Sequence, residues 1–220
     1  YCPKATIQQY ASTIFDLTLR RLSKSVEHDK VVPYCKHFIQ SQCMFATVYG
    51  APALYQTLEA LRPGLMANLI EEIWFSNRRP LGGLSARDLN HVLFGATRIL
   101  VDTPLLESHP MAWTLLLQLI LHLMFEKYDV SLDFKLEDDL AENREFDGHY
   151  SKLAYASVTI VDPIAEIPKV SLYSAGQILQ FSRSLSSERS SIFQQALMRL
   201  QLNANEQEGL QKILQGQLNQ

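Results

Sequence analysis

Apolar residues along this chain recur at helical spacing. In the first segment Ile7, Tyr10, Ala11, Ile14 and Phe15 follow at i, i+3, i+4, i+7 and i+8, one stripe of a 3.6-residue helix. Leu89, Val92, Leu93, Ala96, Ile99 and Leu100 repeat the pattern after Ser85-Ala86-Arg87-Asp88. There Ser85 is placed to cap the open amides and Asp88 stands at the third helical position. Leu210, Ile213 and Leu214 form a shorter version near the end. Breakers fall between such stripes: Pro33, Gly50 with Pro52, Pro63 with Gly64, Pro80 to Gly83, Pro104, Pro110, Pro163 and Pro168. The segments they bound predict helices over 5–24, 33–49, 53–61, 65–76, 85–102, 110–128, 149–160, 169–182, 188–202 and 206–217. "SVTIV" (Ser157–Val161) has strand composition, but one strand without a partner forms no sheet. It is expected to be a frayed helix end.

Helices joined mostly by short turns predict antiparallel hairpins. A period of about 40–50 residues per pair, with wide apolar faces, favours an all-α solenoid, expected to be right-handed as in the family named below, over a bundle wound round one centre. About five HEAT-like hairpins would then form a single array over 1–220. "MAWTLLLQLILHLMF" (Met111–Phe125) is the longest apolar run, 15 residues interrupted by Gln118 and His122. That falls short of the roughly 20 residues of a membrane span, so it reads as a helix buried on most of its circumference and not as a membrane insertion. The sequence opens on Tyr1 with no basic-then-apolar signal segment, as expected of a mature chain or a piece of a longer one.

Charge adds one feature that periodicity does not. The net charge of −3 is against general nucleic-acid binding. Its distribution is uneven: residues 129–147 hold Asp129, Asp133, Glu137, Asp138, Asp139, Glu142, Glu145 and Asp147 against Lys135 and Arg144. This block is expected to be an acidic loop between packed helices. It is read either as a solvated spacer or as a docking surface that steers a basic partner. Arg78 and Arg79, in "SNRRPLGG" (Ser76–Gly83), are expected in a loop, where they could make charge-assisted contacts with an acidic partner; two ordinary surface arginines are the plainer reading.

Candidates for chemistry are few. "PLGGLS" has neither the spacing nor the lysine of a phosphate-binding loop, and no G-x-S-x-G elbow occurs. "DFKLEDDLAENR" lacks the glycine turn of a calcium loop. Eight solvated acids also lack the pocket that would tune a catalytic pair. Cys35, His37 and Cys43 approach a metal set most closely, yet they point in divergent directions along one helix, against the roughly four converging ligands zinc takes. Buried thiols beside a surface imidazole fit better. Cys35 and Cys43 lie about 12 Å apart along the axis and cannot bridge each other, so reduced thiols are expected. Trp74 and Trp113 sit on apolar stripes and read as core. "SRSLSSERSS" (Ser182–Ser191) reads as an interhelical turn with Ser187 capping the next helix, or as a phosphorylation switch.

Several blocks resemble a known family. "GAPALYQTLEALRPGLMANLIEEIW" (Gly50–Trp74), "ILVDTPLL" with "WTLLLQLILHLMFEKYD" (to Asp129), an acidic linker, "HYSKLAYA" (His149–Ala156) with Asp162-Pro163, and "SLSSERSSIFQQALMRLQLNANEQEGLQKIL" occur in order. Together they resemble the C-terminal region of the cellular apoptosis susceptibility exportins, the importin-α re-exporters of the karyopherin-β family. The resemblance implies a HEAT-repeat stack that wraps RanGTP and importin-α without catalysis or cofactor, shuttling between nucleus and cytoplasm through the pore. It implies the last quarter of such a receptor, without its main N-terminal Ran-binding repeats. A generic helical scaffold for another assembly is the alternative. An all-α hydrolase using the acids with His149 is a third reading, unsupported by spacing.

Overall fold

Eleven α-helical segments, and no strand among the described residues, follow from these patterns in a computed structural model that describes residues 4–25, 31–125 and 162–217. They are α1 (Lys4–Ser25), α2 (Val31–Tyr49), α3 (Ala51–Leu61), α4 (Leu65–Leu69), α5 (Arg78–Gly82), α6 (Ala86–Asp102), α7 (Leu105–Ser108), α8 (Pro110–Phe125), α9 (Val170–Ser184), α10 (Ser187–Met198) and α11 (Ala204–Gln215). A π-helical turn, Ile70–Trp74, continues α4. Residues 149–160 and the "SVTIV" run, where a further helix and its end are expected, lie outside the described residues.

The helices form two layers. In one, α2 packs on α6 and α6 on α9. In the other, α1 contacts α3, α3 contacts α4, the π turn contacts α8, and α8 contacts α11. Cross-layer contacts join α1 with α2, α6 with α8 and α9 with α11. Such layering of successive helical pairs is what an α-solenoid requires. α7 and α10 also pack on α8, whose Trp113 stacks on Phe181 of α9 (6.0 Å between ring centres) and meets Phe193 of α10 edge-on (5.5 Å).

Helix α6 is the shared wall. His91, Val92, Leu93, Gly95, Ala96, Thr97, Ile99 and Leu100 are all buried, more of its circumference than one stripe would cover. Ser85 accepts the Asp88 amide at 3.1 Å, the expected cap, and the Asp88 carboxylate also takes a hydrogen bond from Gln40 of α2 at 2.7 Å. At Gly95 the two backbones meet: a Cβ there would lie 2.6 Å from Cys43 Cα. On the far side Thr97 and Ser174 pair their hydroxyls at 2.9 Å, a buried link from α6 to α9.

The apolar expectations hold where neighbours exist. Trp74 and Trp113 are fully buried, and their indole N–H groups donate to Gln42 Oε1 and the Leu100 carbonyl, both at 3.0 Å. α8 is buried nearly all round, and no described helix is long and apolar enough to cross a membrane. The stripe on α1 divides: Ala11, Phe15 and Leu22 are buried, whereas Tyr10, Ile14 and Leu17 stay 53%, 44% and 60% exposed.

Toward the C-terminal end the boundaries move. The helix expected over 188–202 stops at Met198, because Asn203 must be extended (φ −74°, ψ 171°) to cap α11. Asn203 Oδ1 accepts the Glu206 amide at 2.9 Å while Glu206 accepts the Asn203 amide at 3.0 Å, a reciprocal box that starts α11 two residues early. Ser186, not Ser187, caps α10.

Replacing Gly95 by alanine forces α2 and α6 apart, and overpacking of this kind costs about 1–3 kcal/mol. Urea unfolding of G95A is expected to show a midpoint lowered accordingly. An unchanged midpoint would mean that the helices do not meet at this point.

Candidate partner-binding surface

The two arginines expected in a loop stand instead on the short helix α5. Pro80 does not prevent it, since a proline in a first helical turn gives up an amide that has no helical acceptor anyway. Leu81 is fully buried, and its amide donates to the Asn77 carbonyl at 3.0 Å, so the turn closes around an apolar anchor. This corrects the loop assignment and separates the pair. Arg78 is half-buried; its Nη1 donates to the Phe75 carbonyl at 3.0 Å and its guanidinium lies 4.3 Å from the Phe75 ring centre. Arg79 is exposed. Of the two, Arg79 presents its charge to solvent while Arg78 is committed to the fold.

The acids Asp133, Glu137, Asp138, Asp139, Glu142, Glu145 and Asp147 lie outside the described residues, as do Asp129 and His149. What the structure does describe is how α8, which ends at Phe125, and the chain from Asp162 onward are held. On the leading side, α8 packs closely on α11: a Cβ at Gly209 would overlap the Phe125 ring. One turn earlier His122 Nδ1 lies 3.0 Å from Glu206 Oε1, both side chains buried. Glu206 therefore serves twice, as the capping carboxylate of α11 and as the partner of His122.

On the trailing side Asp162 is the mooring. Its Oδ1 takes a hydrogen bond from His91 Nε2 at 2.8 Å and from the Ile164 amide at 3.0 Å, and its Oδ2 lies 3.1 Å from Arg87 Nε. Because an ionised carboxylate can only accept, the His91 proton in this pair sits on Nε2. The His91 hydrogen bond first, then the Ile164 amide and the Arg87 charge, hold the Asp162 pKa down at about 2, against an ordinary 3.8. Nothing in local sequence pairs His91 with a residue 71 positions away; the only hint was Asp162-Pro163 itself.

The cysteines take the bland reading. Cys35 and Cys43 are free and buried in α2, and burial pushes both thiol pKa values up. His37, on the same helix, is exposed. No group of three metal-type side chains converges among the described residues.

With that geometry in place, the comparisons bear on its origin. The family described as CAS/CSE protein, C-terminus, matches residues 1–213. The chain belongs to the CAS/CSE family. Comparison with curated proteins and with solved structures gave no match. The family match runs through α5, the acidic segment and both of its moorings, so these are parts of one CAS/CSE C-terminal region, an exportin-type helical array.

The depressed Asp162 pKa fixes the sign of a pH effect. A carboxylate titrating lower when folded contributes stability that is fully present above about pH 4 and is lost as the pH falls toward 2. D162N is expected to lower the unfolding midpoint at neutral pH and to flatten its decline between pH 4 and 2. Parallel curves for the two proteins would contradict the mooring.

Proposed function

We propose that this region is the C-terminal part of a non-catalytic nuclear export receptor that returns importin-α to the cytoplasm together with RanGTP. The observation that carries the reading is the match to the CAS/CSE C-terminus along nearly the whole chain. The two-layer helical packing supports it, since a stack of hairpins offers broad surfaces to partners. In this reading the array is a right-handed solenoid of about five HEAT-like hairpins, and the receptor shuttles between nucleus and cytoplasm. The exposed Tyr10, Ile14 and Leu17 on α1 are the seam on which a preceding hairpin stacks.

The acidic segment 129–147 is the docking element of this proposal. The described residues nearest to it in sequence are tied down, α8 to α11 through His122 and Asp162 to α6 through His91. Eight acids against two bases make a local balance of −6. Such a charge acts on a basic surface of importin-α or Ran over about 8–10 Å at physiological salt. Arg79, at the other exposed position proposed for contact, would meet an acidic patch.

The experiment replaces Asp138, Asp139 and Glu142 by serine in the full-length exportin and follows its association with importin-α and Ran loaded with GTP. The association rate is expected to drop about three- to tenfold at low salt, with a shallower dependence on ionic strength and unchanged helicity. A rate and salt slope identical to the parent would reduce the segment to a solvated spacer.

A further inference from the structure

We propose that Ser23 is a phosphorylation site for a basophilic serine/threonine protein kinase. It is read from Arg20-Arg21-Leu22-Ser23 in the last turns of α1. Kinases of this class recognise substrates by charge, pairing carboxylates with arginines two and three positions before the acceptor hydroxyl. This chain has an arginine at each of those positions. Arg20, Arg21 and Ser23 are all exposed, so the three groups that such an enzyme reads face solvent together.

The local structure makes the site reachable. Ser23 lies two residues before the end of α1, where the terminal carbonyls have no helical partners and the helix frays at low cost. Its Oγ donates to the Leu19 carbonyl at 3.1 Å, an exposed bond that water replaces. Arg20 is held 2.8 Å from Asp16, a solvent-exposed i,i+4 pair of the weak kind that exchanges readily for a kinase carboxylate. The one buried residue of the motif is Leu22, which must leave the α1–α2 core as the turn unwinds.

In the transfer, Ser23 Oγ forms a bond to the γ-phosphorus of MgATP and the bond to the β–γ bridging oxygen breaks. ADP departs with the electron pair, and the hydroxyl proton passes to the kinase's base. The product carries nearly two negative charges at the C-terminal end of α1, where the helix dipole is also negative. That repulsion disfavours refolding of the last turn and keeps Leu22 out of the core. Tyr34 of α2, whose hydroxyl donates to the Thr18 carbonyl at 2.8 Å, is the next contact to loosen. The modification thus opens the α1–α2 hairpin, which carries the exposed seam of the array.

Ser186 offers the contrast. It has one arginine at the third preceding position, Arg183, and its hydroxyl caps α10.

The test incubates the whole chain with the catalytic subunit of a cyclic-nucleotide-dependent kinase and labelled ATP, then maps the phosphate by mass spectrometry. One phosphate on Ser23 is expected. Incorporation is expected to fall at least tenfold in S23A, and likewise in R20Q/R21Q, whose circular dichroism should match the parent. Hydrogen exchange of the phosphorylated chain is expected to quicken at the end of α1 and not in α8. Label retained in S23A, on Ser186 or Ser25, would overturn the assignment. So would a folded chain that takes up no phosphate while the corresponding peptide does.

Discussion

The contact between Gly95 and the backbone of Cys43 decides how the helices can stack. With no side chain on one helix at that point, α6 approaches α2 to main-chain distance. α6 can then give its remaining surface to α3, α8 and α9. A bulkier residue would hold the first hairpins away from the later ones and leave Val92, Leu93 and Ala96 partly open to water. The two layers are continuous because this wall is thin.

Mooring of the acidic segment depends on the same wall. His91 is presented by α6 toward Asp162, and Arg87 from the preceding turn reaches the other carboxylate oxygen. At the opposite flank His122 and Glu206 tie α8 to α11 while Glu206 also caps α11. These two polar pairs fix the last helix before residue 126 to α11 and the first described residue after 161 to α6.

Most helices are legible because burial leaves a trace in the sequence, a 3.6-residue stripe in α6 and an almost unbroken apolar run in α8. The caps are written in the sequence too, Ser85 three residues before Asp88 and Asn203 three before Glu206. α5 is masked by its own composition, because Pro80 and the glycines that follow have the signature of a loop although a proline in a first turn is compatible with a helix. The exposed half of the α1 stripe shows the limit of periodicity, which reports that a face is apolar but not what covers it. The pairings His91 with Asp162 and His122 with Glu206 join residues more than seventy positions apart, and no local pattern encodes them. The family resemblance, by contrast, rested on ordered blocks and is matched along residues 1–213.

If α6 is the wall shared by both halves, its central amides open only when its neighbours on both sides have left. Native-state hydrogen exchange of the chain tests this directly. The amides of Val92 to Leu100 are expected to exchange slowest, with an opening free energy equal to that of global unfolding. Amides of α2 or α9 that stay protected after those of α6 have exchanged would contradict it.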